Sequence, residues 1–284
     1  MNLWQWLPYI IEMVKDNTQL ADFLNEKVKQ YNQFAFIKDD PICIPHLFTK
    51  KADIEIAGFF ASIFAWGNRT TIINKSTELM DLMDYAPHQF CLYHSTKGLK
   101  KLVGFKHRTF NTTDLLYFVS FLKFHYTHHK SLEDAFVLDY PSQSAEQNHL
   151  APKKMIGGNA GRLLMNFHNY FFSLEDFPSR TKKHIASPAN GSTCKRLNMY
   201  LRWMVRKDQQ GVDFGIWKKI KPSELICPID VHVARVAKRF GLLHRKQIDW
   251  QAAVELTTYL RTLDPLDPVK YDFALFGLGV MEKY

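Results

Sequence analysis

The segment from 190 to 195 combines a run of small residues with a lysine at the start of a predicted helix. A turn that opens a helix directs backbone N–H groups outward, and the helix dipole adds partial positive charge, which together favour a bound phosphate. We therefore expect phosphate contacts at Gly191, Ser192, Thr193 and Cys194. The same field disfavours an ammonium at Lys195, and a neutral amine is the form that attacks carbon. While Lys195 is considered alone, an ordinary surface lysine at a helix start is the simpler interpretation.

An aspartate stands at a second predicted helix start, within the segment PIDVHVARV. Asp230 precedes a run with helical periodicity, and Gly241 follows that run as a stop signal. The apolar positions on the predicted inner face are Val233, Val236, Ala237 and Phe240. A carboxylate at this position could take part in a reaction, or it could only cap the helix, since aspartate is a common N-cap. While Asp230 is considered alone, the cap is the simpler interpretation.

Considered together, the two segments resemble the helix-hairpin-helix DNA glycosylases of the endonuclease III superfamily. PIDVHVARVAKRFGL is similar to the Pro-Val-Asp-Thr-His-x-x-Arg-Val segment of that family, and GSTCK is similar to its Gly-x-Gly-x-Lys hairpin, with Thr193 at the second glycine. The resemblance implies that Lys195 is the Schiff-base nucleophile and Asp230 the catalytic carboxylate. It also implies that a cation could bind the hairpin carbonyls. The two residues lie 35 positions apart, which is longer than usual and implies an insertion; archaeal 8-oxoguanine glycosylases share a widened spacing.

An upstream helix pair extends the resemblance. EIAGFFASIFAWGNRTTIINKSTELM is similar to a helix pair of the same superfamily, in which the intervening turn fills the gap left by a flipped base. This implies that Trp66, Asn68 and Arg69 enter the vacated stack, although an ordinary turn with an exposed arginine explains them equally well. YDFALFGLGV resembles the last core helix of the superfamily, and KRLNMYLRWMVR is similar to an uncharacterised bacterial family, DUF2400.

Other residues are candidates for supporting roles. Basic side chains near the hairpin are expected to contact phosphates, namely Lys182, Lys183, Arg196 and Arg202. Asp213, Phe214 and Trp217 lie in the inserted segment and could line a base pocket, with core packing as the alternative for the aromatic rings. His125, His128 and His129 share one helical face, but no carboxylate or cysteine completes a ligand set, so we predict no metal site.

Composition agrees with a nucleic-acid partner. The chain has 284 residues, a formal net charge of +9, a pI near 9.2 and 14% aromatic residues, which suits a polyanion. Four scattered cysteines without a CxxC pair argue against zinc, an iron–sulfur cluster and disulfides, so we expect no cofactor and a reducing, cytoplasmic and nucleoid-associated setting. The first 17 residues lack the features of a signal peptide, and no run of 18 apolar residues predicts a membrane span.

Helical periodicity dominates the chain and predicts an all-α fold. The resemblance implies two helical subdomains flanking a cleft, with N-terminal helices in 1–52 as part of the terminal subdomain, a helical subdomain with an insertion in 53–189, and the hairpin and catalytic aspartate in 190–284. Asp53 is predicted to cap a helix. Predicted helices occupy 20–31, 53–66, 71–85, 114–126, 131–141, 155–173, 194–206, 230–240, 250–262 and 268–280.

Three functional hypotheses remain open. The first is a monomeric base-excision repair glycosylase with AP lyase activity, acting on double-stranded DNA with a damaged base, with oxidised purines as the expected lesions. The second is a DNA-binding protein that has the glycosylase-like fold without catalysis. The third is an unrelated helical protein whose motif matches arise by chance, and it predicts no salt-dependent DNA binding.

Overall fold

A computed structural model describes residues 17–139, 158–282 and 284 of the chain. The prediction of an all-helical fold is confirmed, since the strands in this part of the chain are two residues long. The helices are α1 Asn17–Tyr31, α2 Phe34–Ile37, α3 Lys51–Phe64, α4 Arg69–Leu82, α5 Pro87–Tyr93, α6 Thr96–Lys101, α7 Thr112–His128, α8 Asp134–Val137, α9 Gly158–Phe171, α10 Lys195–Val205, α11 Val231–Arg239, α12 Trp250–Leu263 and α13 Tyr271–Val280. The strands are β1 Lys106–His107 and β2 Phe110–Asn111, which pair antiparallel.

Helix α3 lies at the centre of the fold, because it has no polar face. All its residues from 53 to 64 are buried, and it packs against α4, α5 and α10. A helix that is apolar on every side is stable only inside a core. Gly58 permits the close approach of α10, since a Cβ there would lie 3.0 Å from Met204 Cε. Among the described residues, no helix is both long and apolar enough to span a membrane.

The last helix, α13, brings the first described helix into contact with the C-terminal part of the chain. It packs against α1 and α11, and two of its glycines allow these contacts. A Cβ at Gly277 would lie 2.2 Å from the Tyr31 ring, and one at Gly279 would lie 3.0 Å from His232 Cβ. These positions exclude larger side chains because the neighbouring helices would have to move apart.

Several helix starts differ from the predicted ones. The prediction that Asp53 caps its helix is wrong, because α3 begins two residues earlier and the Asp53 carboxylate accepts from the backbone N–H of His88. Asn68 caps α4, and Asn111 forms a capping box with Asp114 at the start of α7. Asparagine is as good an N-cap as aspartate, so local sequence alone does not choose between neighbouring candidates.

One of the segments predicted to be an irregular connection contains short helical turns. In the described part of the predicted helix at 131–141, which ends at residue 139, the helix is limited to α8. The predicted exposed connection at 176–192 contains 3₁₀ turns at Ser179–His184 and Pro188–Asn190. The predicted loop at 142–148 and the N-terminal residues 1–16 lie outside the described residues. The four predicted C-terminal helices are confirmed as α10 to α13, within three residues at each end.

A buried carboxylate links α3 to several other segments. The Glu55 side chain is fully buried and accepts hydrogen bonds from Tyr126 Oη at 2.8 Å, Ser131 Oγ at 2.5 Å, Leu132 N at 3.1 Å and Trp217 Nε1 at 2.7 Å. Burial raises the pKa of Glu55, although each of these donors opposes that shift. Four donors satisfy both oxygens, which offsets much of the cost of removing the group from water.

We expect Glu55→Ala to lower the free energy of unfolding by about 3 kcal/mol or more, because it leaves several buried donors without an acceptor. Urea denaturation followed by circular dichroism measures this change. Glu26→Ala is the control, since Glu26 is exposed and forms an ion pair with the exposed Lys29, and it should change stability by less than about 0.5 kcal/mol. Equal effects of the two substitutions would show that the Glu55 network contributes little.

Candidate active site

The turn before α10 has the compact geometry that its small residues predict. Gly191 adopts a left-handed conformation with φ of 72°, and its carbonyl accepts from Trp250 N at 3.0 Å, which ties the turn to α12. Cys194, at the N-cap of α10, is also left-handed with φ of 52°. Thr193 is not among the residues of positive φ, so a glycine is not required at its position. Lys195 is therefore the first residue of α10.

Asp230 caps α11 with one carboxylate oxygen and leaves the other free to act elsewhere. Its Oδ1 accepts from His232 N and Val233 N, both at 2.9 Å. Its Oδ2 lies 3.3 Å from Lys195 Nζ, and the two side chains are 15% and 32% exposed. The caps and the turn thus bring two residues together that are far apart in the sequence, with solvent still able to reach both.

The lysine and the aspartate line one cleft of about 890 Å³. The turn after α3 forms one wall, and the starts of α10 and α11 form the other. Among the residues that line this cleft are Phe36, Asp40, Trp66, Gly67, Asn68, Arg69, Thr193, Lys195, Met199, Arg202, Asp230, Val231, His232, Ile248, Asp272 and Phe276. A cavity of this volume is typical of small-molecule and nucleotide-sized ligands.

Three helix N-termini converge on the cleft, those of α4, α10 and α11. Each carries a lining residue, with Asn68 and Asp230 as N-caps and Lys195 at the first helical position. Helix N-termini carry partial positive charge, so this arrangement attracts anions and disfavours an additional cation. The local electric field at Lys195 therefore arises from the backbone dipoles of these helices as well as from Asp230.

Two further carboxylates lie among the cleft residues, and both are buried. Burial raises the pKa of Asp272 to about 6 and also raises the pKa of Asp40. Asp272 accepts a hydrogen bond from Arg202, and Asp40 accepts from Ile42 N at 3.0 Å. The rings of Phe36 and Phe276 approach each other edge to face at 6.4 Å. The cleft therefore offers aromatic surface together with hydrogen-bond acceptors.

The turn after α3 is held by contacts of its polar and cationic side chains. Asn68 Oδ1 accepts from Thr71 N at 3.1 Å, and the Arg69 guanidinium lies 5.6 Å from the centre of the Phe276 ring. Trp66 is half-buried, and Arg108 stacks on its ring at 4.5 Å. The three residues that the resemblance places in a vacated base stack thus share one wall of the cleft that contains Lys195.

A smaller cavity of about 270 Å³ adjoins the first and surrounds the start of α10. It is lined by Ser192, Thr193, Cys194, Lys195, Arg196, His184 and neighbouring residues. Lys182 and Lys183 are exposed in the preceding 3₁₀ turn, and Lys182 lies 4.8 Å from the centre of the Phe177 ring. Burial raises the pKa of Cys194 to about 12, which disfavours the reactive thiolate form.

Two of the predicted phosphate contacts are engaged inside the protein. The prediction for Arg202 is wrong, because the side chain is buried and pairs with Asp213 and Asp272. Arg196 donates to the carbonyls of Ile63 at 2.6 Å and Lys183 at 3.5 Å, so its guanidinium braces the end of α3. The guanidinium of Arg202 is thus held by two carboxylates inside the protein.

The predicted base-pocket residues in the insertion lie elsewhere. Trp217 points into the core and binds Glu55, Asp213 pairs with Arg202 and Arg206, and Phe214 stacks on His46 at 4.3 Å. None of the three lines the cleft that the described residues form. The insertion packs around the end of α10 through bonds from Phe214 N and Trp217 N to carbonyls of that helix.

The histidines of α7 and its C-cap, His125, His128 and His129, make separate local contacts. His125 is buried and hydrogen-bonds the Ser131 carbonyl at 2.9 Å, whereas His128 bonds the Phe124 carbonyl within α7 at 2.8 Å. Across residues 17–139 and 158–282 there is no group of three or more His, Cys, Asp or Glu side chains arranged to hold a metal. These histidines stabilise local structure by hydrogen bonds.

Sequence reasoning missed the inner cleft residues. Asp272 lies in YDFALFGLGV and Asp40 in DDPIC, where each stands among apolar residues or before a proline. A carboxylate at a buried helical position is a usable signal, because aspartate is rarely buried without a partner. Its partner, Arg202, is 70 residues away, so the pair becomes evident only after folding.

The chain belongs to the family described as "protein of unknown function (DUF2400)", whose model matches residues 40–281. The match covers both walls of the cleft and all three helices whose N-termini converge on it. No curated protein and no solved structure shows significant similarity to the chain.

The two oxygens of Asp230 lead to a prediction that separates its roles. Asp230→Ala removes the N-cap acceptor and should lower the free energy of unfolding by about 1 kcal/mol, measured by urea denaturation. Asp230→Asn keeps an oxygen for the two N–H groups, so it should cost only a few tenths of that amount while it removes the negative charge beside Lys195. If Asn and Ala destabilise the protein equally, the capping role assigned to Oδ1 is wrong.

Proposed function

We propose that the protein is a DNA glycosylase with AP lyase activity, in which Lys195 is the nucleophile and Asp230 the catalytic carboxylate. The observation that carries the proposal is the 3.3 Å approach of Lys195 Nζ to Asp230 Oδ2 at a cleft large enough for a flipped nucleotide. The sequence resemblance to helix-hairpin-helix glycosylases selects the same two residues. In this proposal, the two walls of the cleft correspond to the two helical subdomains of such enzymes.

The reaction begins with proton transfer from Lys195 to Asp230, which leaves a neutral amine. The amine attacks C1′ of the flipped nucleotide, the C1′–N bond breaks with its electron pair leaving on the base, and the departing base accepts the proton held by Asp230. Opening of the C1′–O4′ bond then gives an imine between Nζ and C1′, with a proton moving to O4′. Loss of a C2′ proton expels the 3′ phosphate and nicks the strand. Once Asp230 has given up the proton, its restored carboxylate stabilises the positive charge of the protonated imine at C1′.

The walls of the cleft support binding of a flipped nucleotide. Extrusion of a base costs a few kcal/mol, and side chains that occupy the vacated stack offset part of this cost. In this proposal Trp66, Asn68 and Arg69, which line the same cleft as Lys195 and Asp230, take that role. The turn from Gly191 to Cys194, with exposed Lys182 and Lys183 nearby, is placed to bind the flanking phosphates.

The inner cleft supports a purine with N–H donors on its edge. Guanine and 8-oxoguanine carry adjacent donors at N1 and N2, which match the acceptors of a carboxylate. Asp272 and Asp40 supply such acceptors, and the rings of Phe36 and Phe276 supply surface for stacking. These residues lead us to propose a substrate base with the hydrogen-bonding edge of guanine, such as 8-oxoguanine.

Borohydride trapping tests the reaction directly. We expect a covalent adduct between the protein and an oligonucleotide duplex with an abasic site or 8-oxoguanine, because borohydride reduces the imine to a stable amine. Lys195→Ala should abolish the adduct, whereas Lys183→Ala should retain it and only weaken binding. Denaturing electrophoresis measures the fraction of labelled DNA that is trapped.

The control for Asp230 is Asp249→Ala. Asp249 caps α12 in the same manner, with Ala252 N at 3.0 Å, but it does not line the cleft. Asp230→Asn should reduce trapping by at least about tenfold, whereas Asp249→Ala should leave it unchanged. DNA binding without any adduct would instead favour a non-catalytic DNA-binding protein.

Asp272→Asn tests base recognition separately from bond formation. An abasic site has no base to recognise, so the variant should still form the adduct there at a rate close to that of the wild type. Release of 8-oxoguanine should fall by about tenfold or more, because an amide replaces one acceptor with a donor. Base release is measured by chromatography of the freed base. Equal losses on both substrates would assign Asp272 to structure alone, through its pairing with Arg202.

A further inference from the structure

The hairpin formed by β1 and β2 presents basic side chains without acidic partners. Lys106 and Arg108 are exposed, and neither has a carboxylate within 4.0 Å among the described residues. Many other basic residues are neutralised, as Arg162 is by Asp139 and Lys101 by Asp84. Unpaired cations on an ordered element create a local positive field that attracts polyanions.

The hairpin is fixed firmly to the body of the protein. His107 Nε2 donates to the Phe64 carbonyl at 3.0 Å, and the Phe110 ring packs edge to face on Phe64 at 5.1 Å. Arg180 donates to the Thr109 carbonyl at 2.9 Å and also pairs with Asp114 at the start of α7. Because both strands and the tip are anchored, the basic side chains occupy a defined place relative to the end of α3.

Arg108 connects the hairpin to the wall of the cleft. Its guanidinium carbon lies 4.5 Å from the centre of the Trp66 ring, and a Cβ at Gly67 would lie 2.5 Å from its Nη1. Because Gly67 has no side chain, the Arg108 guanidinium can occupy the space beside it. Arg108 itself has φ of 55°, so the backbone accepts a left-handed residue at the tip of the hairpin.

Stacking leaves the donors of this guanidinium available. A cation–π contact uses the flat face of the group, whereas its N–H donors point outward in the plane of the group. A phosphate can therefore bind at the edge of Arg108 while Trp66 holds its face. Lys182 and Lys183 lie in the same 3₁₀ turn as Arg180, which binds the tip of the hairpin, so they continue the basic surface towards the start of α10.

We propose that the hairpin Lys106–Asn111 is a DNA-contacting element, in which Arg108 binds a backbone phosphate beside the mouth of the cleft. Lys106 adds a second phosphate contact on the same strand segment. The choice of duplex DNA as the polyanion rests on the proposed function, but the contact does not depend on any reaction in the cleft. Arg108 also orders Trp66, so the hairpin couples backbone binding to the wall that faces Lys195.

Salt-dependent binding to an undamaged duplex tests this proposal, with fluorescence anisotropy as the measurement. Arg108→Ala should weaken binding by about tenfold or more at low salt and should reduce the slope of log affinity against log salt by about 1. Gly67→Ala should have a similar effect, because the added methyl group would occupy the space that the Arg108 guanidinium fills. Arg162→Ala is the matched control, since Asp139 already neutralises that arginine, and its slope should equal that of the wild type.

The outcomes distinguish this proposal from the proposed function. If the wild type binds DNA and Arg108→Ala keeps the full salt slope, the hairpin is not a contact, although Lys195 can still form its adduct. If Arg108→Ala lowers the slope while no adduct forms, the hairpin proposal stands and the reaction fails. If the wild type shows no salt-dependent affinity for DNA, both proposals are wrong.

Discussion

The arrangement of the cleft depends on one buried carboxylate, that of Glu55 in α3. An ionised carboxylate is costly to bury unless its oxygens are hydrogen-bonded, and Glu55 obtains donors from α7, from the segment after α7 and from the insertion after α10. Tyr200 of α10 donates to the backbone carbonyl of the same residue at 2.9 Å. Since the acceptor directions of a carboxylate are few, each donor segment has one favourable position. This network therefore fixes α3 against α10, and with them the two walls of the cleft.

Helix ends then determine the chemistry that the cleft can support. The N-termini of α4, α10 and α11 point their partial positive charges towards a space that also contains Lys195 and Arg69. Such a field favours a bound anion such as a DNA phosphate. Asp230 balances this field with a single charge, because one of its oxygens caps α11 and the other faces Lys195. One residue thus links the stability of a helix to the proposed reaction.

The predictions of site residues from the sequence failed where a side chain has a buried ion-pair or hydrogen-bond partner. The sequence predicted that Arg202 contacts a DNA phosphate and that Asp213 lines a base pocket. In the structure the two side chains pair with each other in the core. Trp217 belongs to an insertion that looks exposed, but its indole N–H reaches Glu55 across 162 positions of sequence. Asp272 passes unnoticed within an apolar helix, although it lies in the cleft. Asp213 lies 11 positions from Arg202, whereas the partners of Trp217 and Asp272 lie 162 and 70 positions away, and helical periodicity carries no information about any of these contacts.

The sequence by itself determined the helical class, the last four helices, the cap that Asp230 forms on α11, and the order of a lysine and an aspartate at two helix starts. These features are local, because capping, turn formation and amphipathic periodicity depend on residues within one or two helical turns. Only the tertiary structure decided that Lys195 and Asp230 meet, that Trp66 to Arg69 face them, and that the hairpin with Arg108 adjoins the same wall. Those contacts follow from the packing of α3 against α10 and from buried hydrogen bonds between distant segments, which no short stretch of sequence specifies.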